Sequence, residues 1–338
     1  MSFKSLAKDI RDQAVAASNA HRLFHASGSL LVLTYHRVLP RDFGELDIVE
    51  PGMFVFEDTF ESHLALLNRD FEVVDLATWV SRAGAGEDLP KRACAITFDD
   101  GWHDNHEFAF PLLQRFSTRA TIFLVAGMAG TSRQFWPERL ARLVRASEHK
   151  SPYLRNHAGR WLTDLVSREK ASLGTASPER ISALIQRAKR WKDEEIHHYI
   201  DVIEKSGYSP MHKGADILNW RQLSEMIDSG LVSVGSHTLD HKRLGGGLDI
   251  EEVDRQVCGS YRLIEQNTGS APKLFCYPNG DVSKQAAERV QTQYIGACTT
   301  ADGWNRSDCD PYALRRVTLH EGNSGTIRSF KARISGLV

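Results

Sequence analysis

An α/β fold built on a parallel sheet is what this sequence predicts, on three observations. Short apolar runs rich in β-forming residues recur at 30–35 (LLVLTY), 93–98 (ACAITF), 120–125 (ATIFLV) and 231–235 (LVSVG). Helix-like segments, such as those at 60–67 and 220–229, fall between them, so the order reads strand, helix, strand. Parallel neighbours need such crossovers, whether the sheet is closed or open. The third observation is size: 338 residues, 41% hydrophobic and 25% charged, suit one elaborated core with insertions.

Taken in order, the chain opens with a helical segment at 1–28, ahead of the main domain at 29–338. Lys4, Lys8, Asp9 and Arg11 interrupt the apolar stretch that a secretion signal requires. Phe3, Leu6 and Ile10 give this segment an amphipathic face, to pack on the domain or to rest on a membrane surface. No run approaches the ~18 apolar residues of a membrane helix, so the expected location is the cytoplasm, with peripheral contact to the inner membrane left open. After the run at 120–125 the strand signals vanish, and about 131–215 reads as a helical insertion containing WPERLARLVRA and SPERISALIQRAKRW. Ser177 before Pro178 is the expected start of one of its helices. Over 138–213 fifteen Lys/Arg oppose ten Asp/Glu, which fits a solvated helical face or contact with an anionic sugar, phosphate or lipid carrier.

Composition excludes several classes. With 42 Lys+Arg against 43 Asp+Glu the formal charge is −1, so nothing draws the whole chain to nucleic acid. The five cysteines contain no CxxC pair, so neither a disulfide framework nor a thiolate zinc site is indicated. Gly245, Gly246 and Gly247 lack the Lys-Ser/Thr ending of a phosphate loop. Nothing in the sequence fixes the oligomeric state.

The chemistry concentrates where two runs end. TFDDG at 97–101 sets Asp99 beside Asp100 and then turns on Gly101. Adjacent carboxylates repel, and burying either without a partner is costly, so a compensating group is expected nearby. SHTLDH at 236–241 places His237 and His241 at a spacing that lets both imidazoles face one ion. Alone, that pair reads first as a polar turn, and His197, His198, His103 and His106 read as surface or helix-start residues. Set beside TFDDG, it makes a two-histidine, one-carboxylate set with positions left open on Zn²⁺, or on Co²⁺ or Ni²⁺. Asp100 is then the ligand, and Asp99 the base that takes a proton from water.

On these residues the sequence resembles the polysaccharide deacetylases of carbohydrate esterase family 4, the NodB-homology proteins. TFDDG resembles their first motif, SHTLDH their second, and FCYPNG at 275–280 their third. The likeness runs from TYHRV at 34–38 through LNWRQLSEMIDSGLVSVGSH to LRRV at 314–317. It implies a distorted (β/α)7-type barrel of about seven strands, interrupted by the helical insertion. It also implies a metal held by Asp100, His237 and His241, Asp99 as general base, and a groove wall at Tyr277, Pro278 and Asn279 offering an N–H to the oxyanion. His320 in VTLH takes the place of the family's catalytic histidine, as proton donor to the leaving amine.

Two departures stand out. Cys276 occupies the place of an arginine that orients the base, so Arg315 or Arg316 is expected to supply that charge. ADGW at 301–304 puts Gly303 between Asp302 and Trp304, where the family has an Asp-Trp pair. His36 is expected at the mouth of the site, and Trp102, with Trp304 as the lesser choice, against a sugar face. The implied activity is removal of an N-acetyl group from an amino sugar in a polysaccharide or lipid-linked saccharide, as in exopolysaccharide assembly. A deformylase or deacetylase of a lipid-linked monosaccharide and an inert carbohydrate-binding barrel are the alternatives.

Overall fold

Each apolar run becomes a strand, and all share one direction. A computed structural model of the chain describes residues 28–146, 157–167, 177–206 and 216–337, with Val15 and Ala17. The helical segment expected at 1–28 therefore lies almost wholly outside the described residues, as do parts of the expected insertion. The strands are β1 (Ser29–Tyr35), β2 (Arg37–Leu39), β3 (Phe54–Phe56), β4 (Glu72–Val73), β5 (Arg92–Asp100), β6 (Ala120–Leu124), β7 (Val232–Ser236), β8 (Leu274–Cys276), β9 (Gly296–Cys298) and β10 (Val317–Thr318).

Seven strands follow the path β10-β1-β5-β6-β7-β8-β9, with β4 joined to β5 off this path and β2 and β3 pairing separately. Every pairing is parallel. The path curls on itself: Leu314 donates to Ala297 O and accepts from Thr299 N, both at 2.9 Å, while β10 pairs with β1. The segment before and through β10 thus joins the two edges of a distorted (β/α)7-type barrel. With both faces covered, strands read as near-continuous apolar runs, and all seven residues of β1 are buried. Leu30, Val32, Ala95, Phe123, Cys276 and Cys298 pack into one core cluster.

The run at 93–98 extends further than its apolar residues suggest. The β5–β6 ladder continues through Asp99↔Phe123 and Asp100↔Leu124, so both carboxylates close the strand instead of following it. Strand ends from β5, β7, β8 and β10 meet at one rim, where reactive side chains of such folds collect.

The described residues divide into two compact units. One comprises residues up to Arg41, Phe54–Thr131 and Ile217–Val338, and holds the sheet. The other comprises Asp42–Met53 and Ser132–Asp216. It is built from the helices Trp136–Ala146, His157–Ser167, Pro178–Ala188 and Asp193–Lys205 around Leu140, Leu162, Leu184 and Ile200. Ser177 caps the third of these, accepting from Arg180 N, with Pro178 in its first turn. Among the described residues no helix is long and apolar enough to cross a membrane.

Candidate active site

The end of β5 is built so that two adjacent carboxylates reach one rim. Side chains alternate along a strand, which would send Asp99 and Asp100 to opposite faces. Asp100 instead has a left-handed backbone (φ 74°), followed by Gly101 at φ 80°. A Cβ on Gly101 would lie 2.5 Å from Leu124 Cδ1, so the position requires glycine.

Asp99 is 3% exposed and is clamped by Arg316, also 3% exposed: Nη1 reaches Oδ1 at 2.7 Å and Nη2 reaches Oδ2 at 2.8 Å. Arg316 is itself fixed by donating from Nε to Thr299 O at 2.9 Å. The Cys276 thiol makes a weaker 3.6 Å contact to Asp99 Oδ2. Burial alone would raise the Asp99 pKa, but Arg316 and then His237 outweigh it and hold the carboxyl well below the ordinary carboxylate range. The charge missing at Cys276 is thus supplied by Arg316. Arg315, the other residue predicted for that role, is corrected: its guanidinium is turned to Asp302 O at 3.0 Å and does not meet Asp99.

Asp100 faces the histidines. Its Oδ1 lies 3.5 Å from His237 Nε2 and 3.4 Å from His241 Nε2. These separations exceed ordinary hydrogen bonds and match the roughly 3.3–3.4 Å between ligand atoms around a tetrahedral ion with ~2.0–2.1 Å bonds. His237 Nδ1 lies 2.8 Å from Cys276 O; a carbonyl only accepts, so Nδ1 carries the proton and Nε2 presents its lone pair to Asp100. Burial pushes the His237 pKa down to about 4, which keeps the ring neutral, as a ligand must be. The three side chains fit a divalent cation.

The turn bearing the histidines contains two more left-handed residues, Thr238 (φ 65°) and His241 (φ 58°). Buried Gln256 braces it: Oε1 accepts from Leu239 N at 3.1 Å and from Asp240 N at 3.0 Å.

The remaining predicted residues divide. Tyr277, Pro278 and Asn279 follow β8 at the same rim. Tyr277 is buried and its N–H donates to Cys298 O at 3.1 Å, Pro278 has no N–H, and Gly280 and Asp281 donate back to Tyr277 O and Pro278 O. Of the three residues named for the oxyanion, Asn279 (φ 55°) alone keeps an amide outside these bonds. His36 follows β1; its carbonyl is held by Asn105 Nδ2 at 2.8 Å, and its Nδ1 has no hydrogen-bond partner among the described residues. His320 follows β10, just before the short helix Glu321–Ser324.

Two aromatic assignments are corrected. Trp102 is 1% exposed and donates from Nε1 to Asp100 Oδ2 at 2.9 Å, so it lies beneath the site and presents no face to a sugar. Trp304 donates to Ile334 O at 3.1 Å beside Asn305, which pairs with Leu30 near the start of β1, at the end of the barrel opposite the carboxylates. Sequence reasoning also missed Arg37 and Asp104. Arg37 donates from Nε to Asp104 Oδ2 at 2.8 Å and stands over the Trp102 ring at 4.5 Å from its centroid. A charged residue between Tyr35 and the apolar pair Val38-Leu39 was the available signal of a buried ion awaiting a partner.

Comparisons with known proteins bear on the family and the fold. The polysaccharide deacetylase family model matches residues 86–295. YxkH of Bacillus subtilis (strain 168), which carries the same family name, is 23% identical over 239 residues, 70% of this chain. The match covers 55% of YxkH, so this chain spans about half the length of that relative. The polysaccharide deacetylase BC0361 of Bacillus cereus has a similar fold at TM-score 0.58 and 18% identity, covering 91% of this chain and 69% of that one. The Streptococcus pyogenes deacetylase PplD, solved with acetate, gives 0.56 at 15% identity over 88% of this chain and 96% of its own. The family model covers most of the chain, including Asp99, Asp100, His237, His241 and the turn after β8, and on that match the chain belongs to the polysaccharide deacetylase family.

Proposed function

We propose that this chain hydrolyses an N-acetyl group from an amino sugar within a polysaccharide or lipid-linked saccharide, with a divalent cation, Zn²⁺ foremost, held by Asp100, His237 and His241. The observation that carries this reading is the division of labour at the end of β5. One carboxylate is kept anionic by a bidentate arginine, while its neighbour joins two imidazoles at the spacing of a tetrahedral ion.

When bound, the cation supplies Lewis acidity toward the acetyl carbonyl and the attacking water. Asp99 takes the water proton as the carbon–oxygen bond forms, and Arg316 holds the carboxyl in place for it. The Asn279 N–H donates to the developing oxyanion, and the carbon–nitrogen bond breaks as an imidazole protonates the amine. His320 is the donor that the family likeness implies. A second reading assigns this role to His36, because its strand β1 ends with Tyr35 paired to Phe98, the residue before Asp99. Comparing His36→Ala with His320→Ala settles the choice, because the true donor shows the larger fall in turnover at unchanged metal affinity.

PplD was solved with acetate, the product expected of this reaction. The test is acetate release from N-acetylglucosamine oligomers and from an undecaprenyl-linked N-acetyl sugar, with the metal stripped and restored. Metal-dependent release from either is the expected result. Oligomer binding without acetate identifies an inert carbohydrate-binding barrel, and formate from an N-formyl lipid-linked sugar, with no acetate from either N-acetyl substrate, identifies a deformylase.

A further inference from the structure

We infer that Trp102 is a positioning residue for the cation-binding carboxylate, held in register by the buried Arg37–Asp104 ion pair; this rests on the metal-dependent reading above. Asp100 has two oxygens with different surroundings. Oδ2 accepts the Trp102 indole N–H at 2.9 Å, whereas Oδ1 is the atom 3.4 and 3.5 Å from the two imidazole nitrogens. The indole therefore reserves Oδ1 for the cation and blocks the carboxylate from rotating to present the other oxygen. Such control matters here because only one of the two oxygens faces both imidazoles.

The layer below supplies no atom to the proposed hydrolysis itself. Arg37 lies over the Trp102 ring at 4.5 Å, and Asp104 pins it at 2.8 Å while also accepting Val38 N–H at 3.0 Å. Arg37, Trp102 and Asp104 are 9%, 1% and 5% exposed. A buried ion pair adds little stability over apolar residues of the same volume, so stability is a weak reason for its presence. A cation against the indole face draws electron density from the ring and strengthens its N–H as a donor, at the edge where that N–H meets Asp100. The Asp104–Arg37–Trp102–Asp100 series thus runs from β2 to the cation site.

The test is titration of the metal-free full chain with Co²⁺, followed by its d–d absorption, for the wild type, Trp102→Phe, Arg37→Lys and Trp79→Phe. Trp102→Phe keeps the ring and removes only the donor; its Co²⁺ dissociation constant is expected to rise 10- to 100-fold with an altered d–d envelope, the usual effect of losing a partner of a metal ligand. Arg37→Lys keeps the charge but not the flat stack, and a rise of about threefold is expected, a fraction of the donor's own effect. Trp79, buried in the helix Leu76–Gly84, is the matched control, and its substitution is expected to leave the constant unchanged. A folded Trp102→Phe within twofold of the wild type, or an equal loss in Trp79→Phe, overturns the inference alone. Should Trp102→Phe fail to fold, an Arg37→Lys constant equal to the wild type overturns it. A wild type that binds no Co²⁺ overturns the metal-dependent reading and this one with it.

Discussion

In the proposed reaction Asp99 acts as a base while lying 3% exposed, where burial alone would force it neutral, and Arg316 resolves the conflict. Replacing Asp99 by Asn is expected to lower kcat by about 10²–10⁴, the usual contribution of a general base, while metal affinity stays within a few-fold. Measuring both on one preparation checks this, and a variant that loses metal and turnover together contradicts it. Arg316 sets the pH range of that base. Because the guanidinium depresses the Asp99 pKa, Asp99 stays ionised down through mildly acidic pH and adds no acid limb there. In Arg316→Gln the pKa is expected to rise with the charge gone, so an acid limb enters the kcat/KM profile from below and activity falls first at low pH. An unchanged profile contradicts the clamp.

At the scale of elements, the helix Glu57–Asp70 is tied to the C-terminal helix Ile327–Ile334 through one imidazole. His63 is fully buried, accepts from Tyr35 Oη at 3.0 Å, donates to Ser324 O at 2.9 Å and stacks on Phe330 at 3.8 Å between centroids. Burial pushes its pKa down to about 4 from an ordinary 6.5. The unfolded chain therefore binds a proton that the folded chain refuses between those values. The stability linked to His63 is fully present above pH 6.5 and drains away as pH falls toward 4, by about 3 kcal/mol in all. Urea unfolding at pH 7 and pH 4.5 measures the slope, and in His63→Gln that component is expected to vanish.

The same elements show what the sequence made readable. Four strands, β1, β5, β6 and β7, and the parallel sheet followed from apolar runs and their helical crossovers, because strands covered on both faces have no polar alternation to confuse the pattern. Strands of two or three residues, such as β4, β8 and β9, are too short to show such a run. TFDDG and SHTLDH were visible because their chemistry is local, lying within five or six consecutive residues. Arg316 was not separable from Arg315 by sequence, since the choice depends on which of two neighbours β10 turns toward the barrel interior. Trp102 was misread for a similar reason: an indole beside a catalytic motif looks the same in sequence whether it stacks on substrate or hydrogen-bonds beneath a ligand. Arg37 and Asp104 lie 67 residues apart, and only the fold brings them into contact.

For the whole molecule, the candidate ligands come from β5 and from the turn after β7, so a bound cation links segments that are far apart in sequence. Ligand linkage then adds about 2.7 kcal/mol at a free concentration a hundred times the dissociation constant. For a chain of 338 residues this corresponds to a rise in Tm of a few degrees. Differential scanning with and without Zn²⁺ is expected to show that rise in the wild type and in Asp99→Asn, and to lose it in His241→Ala. A rise that survives His241→Ala means the ion binds elsewhere.

The most direct measurement is metal stoichiometry, obtained by elemental analysis after dialysis against Zn²⁺, for the wild type beside Asp100→Ala, His237→Ala and His241→Ala. One equivalent per wild-type chain, lost in each variant while all four remain folded, is the expected result. Full occupancy in any of the three variants, or a folded wild type that retains no ion, contradicts the metal site on which the proposed hydrolysis depends.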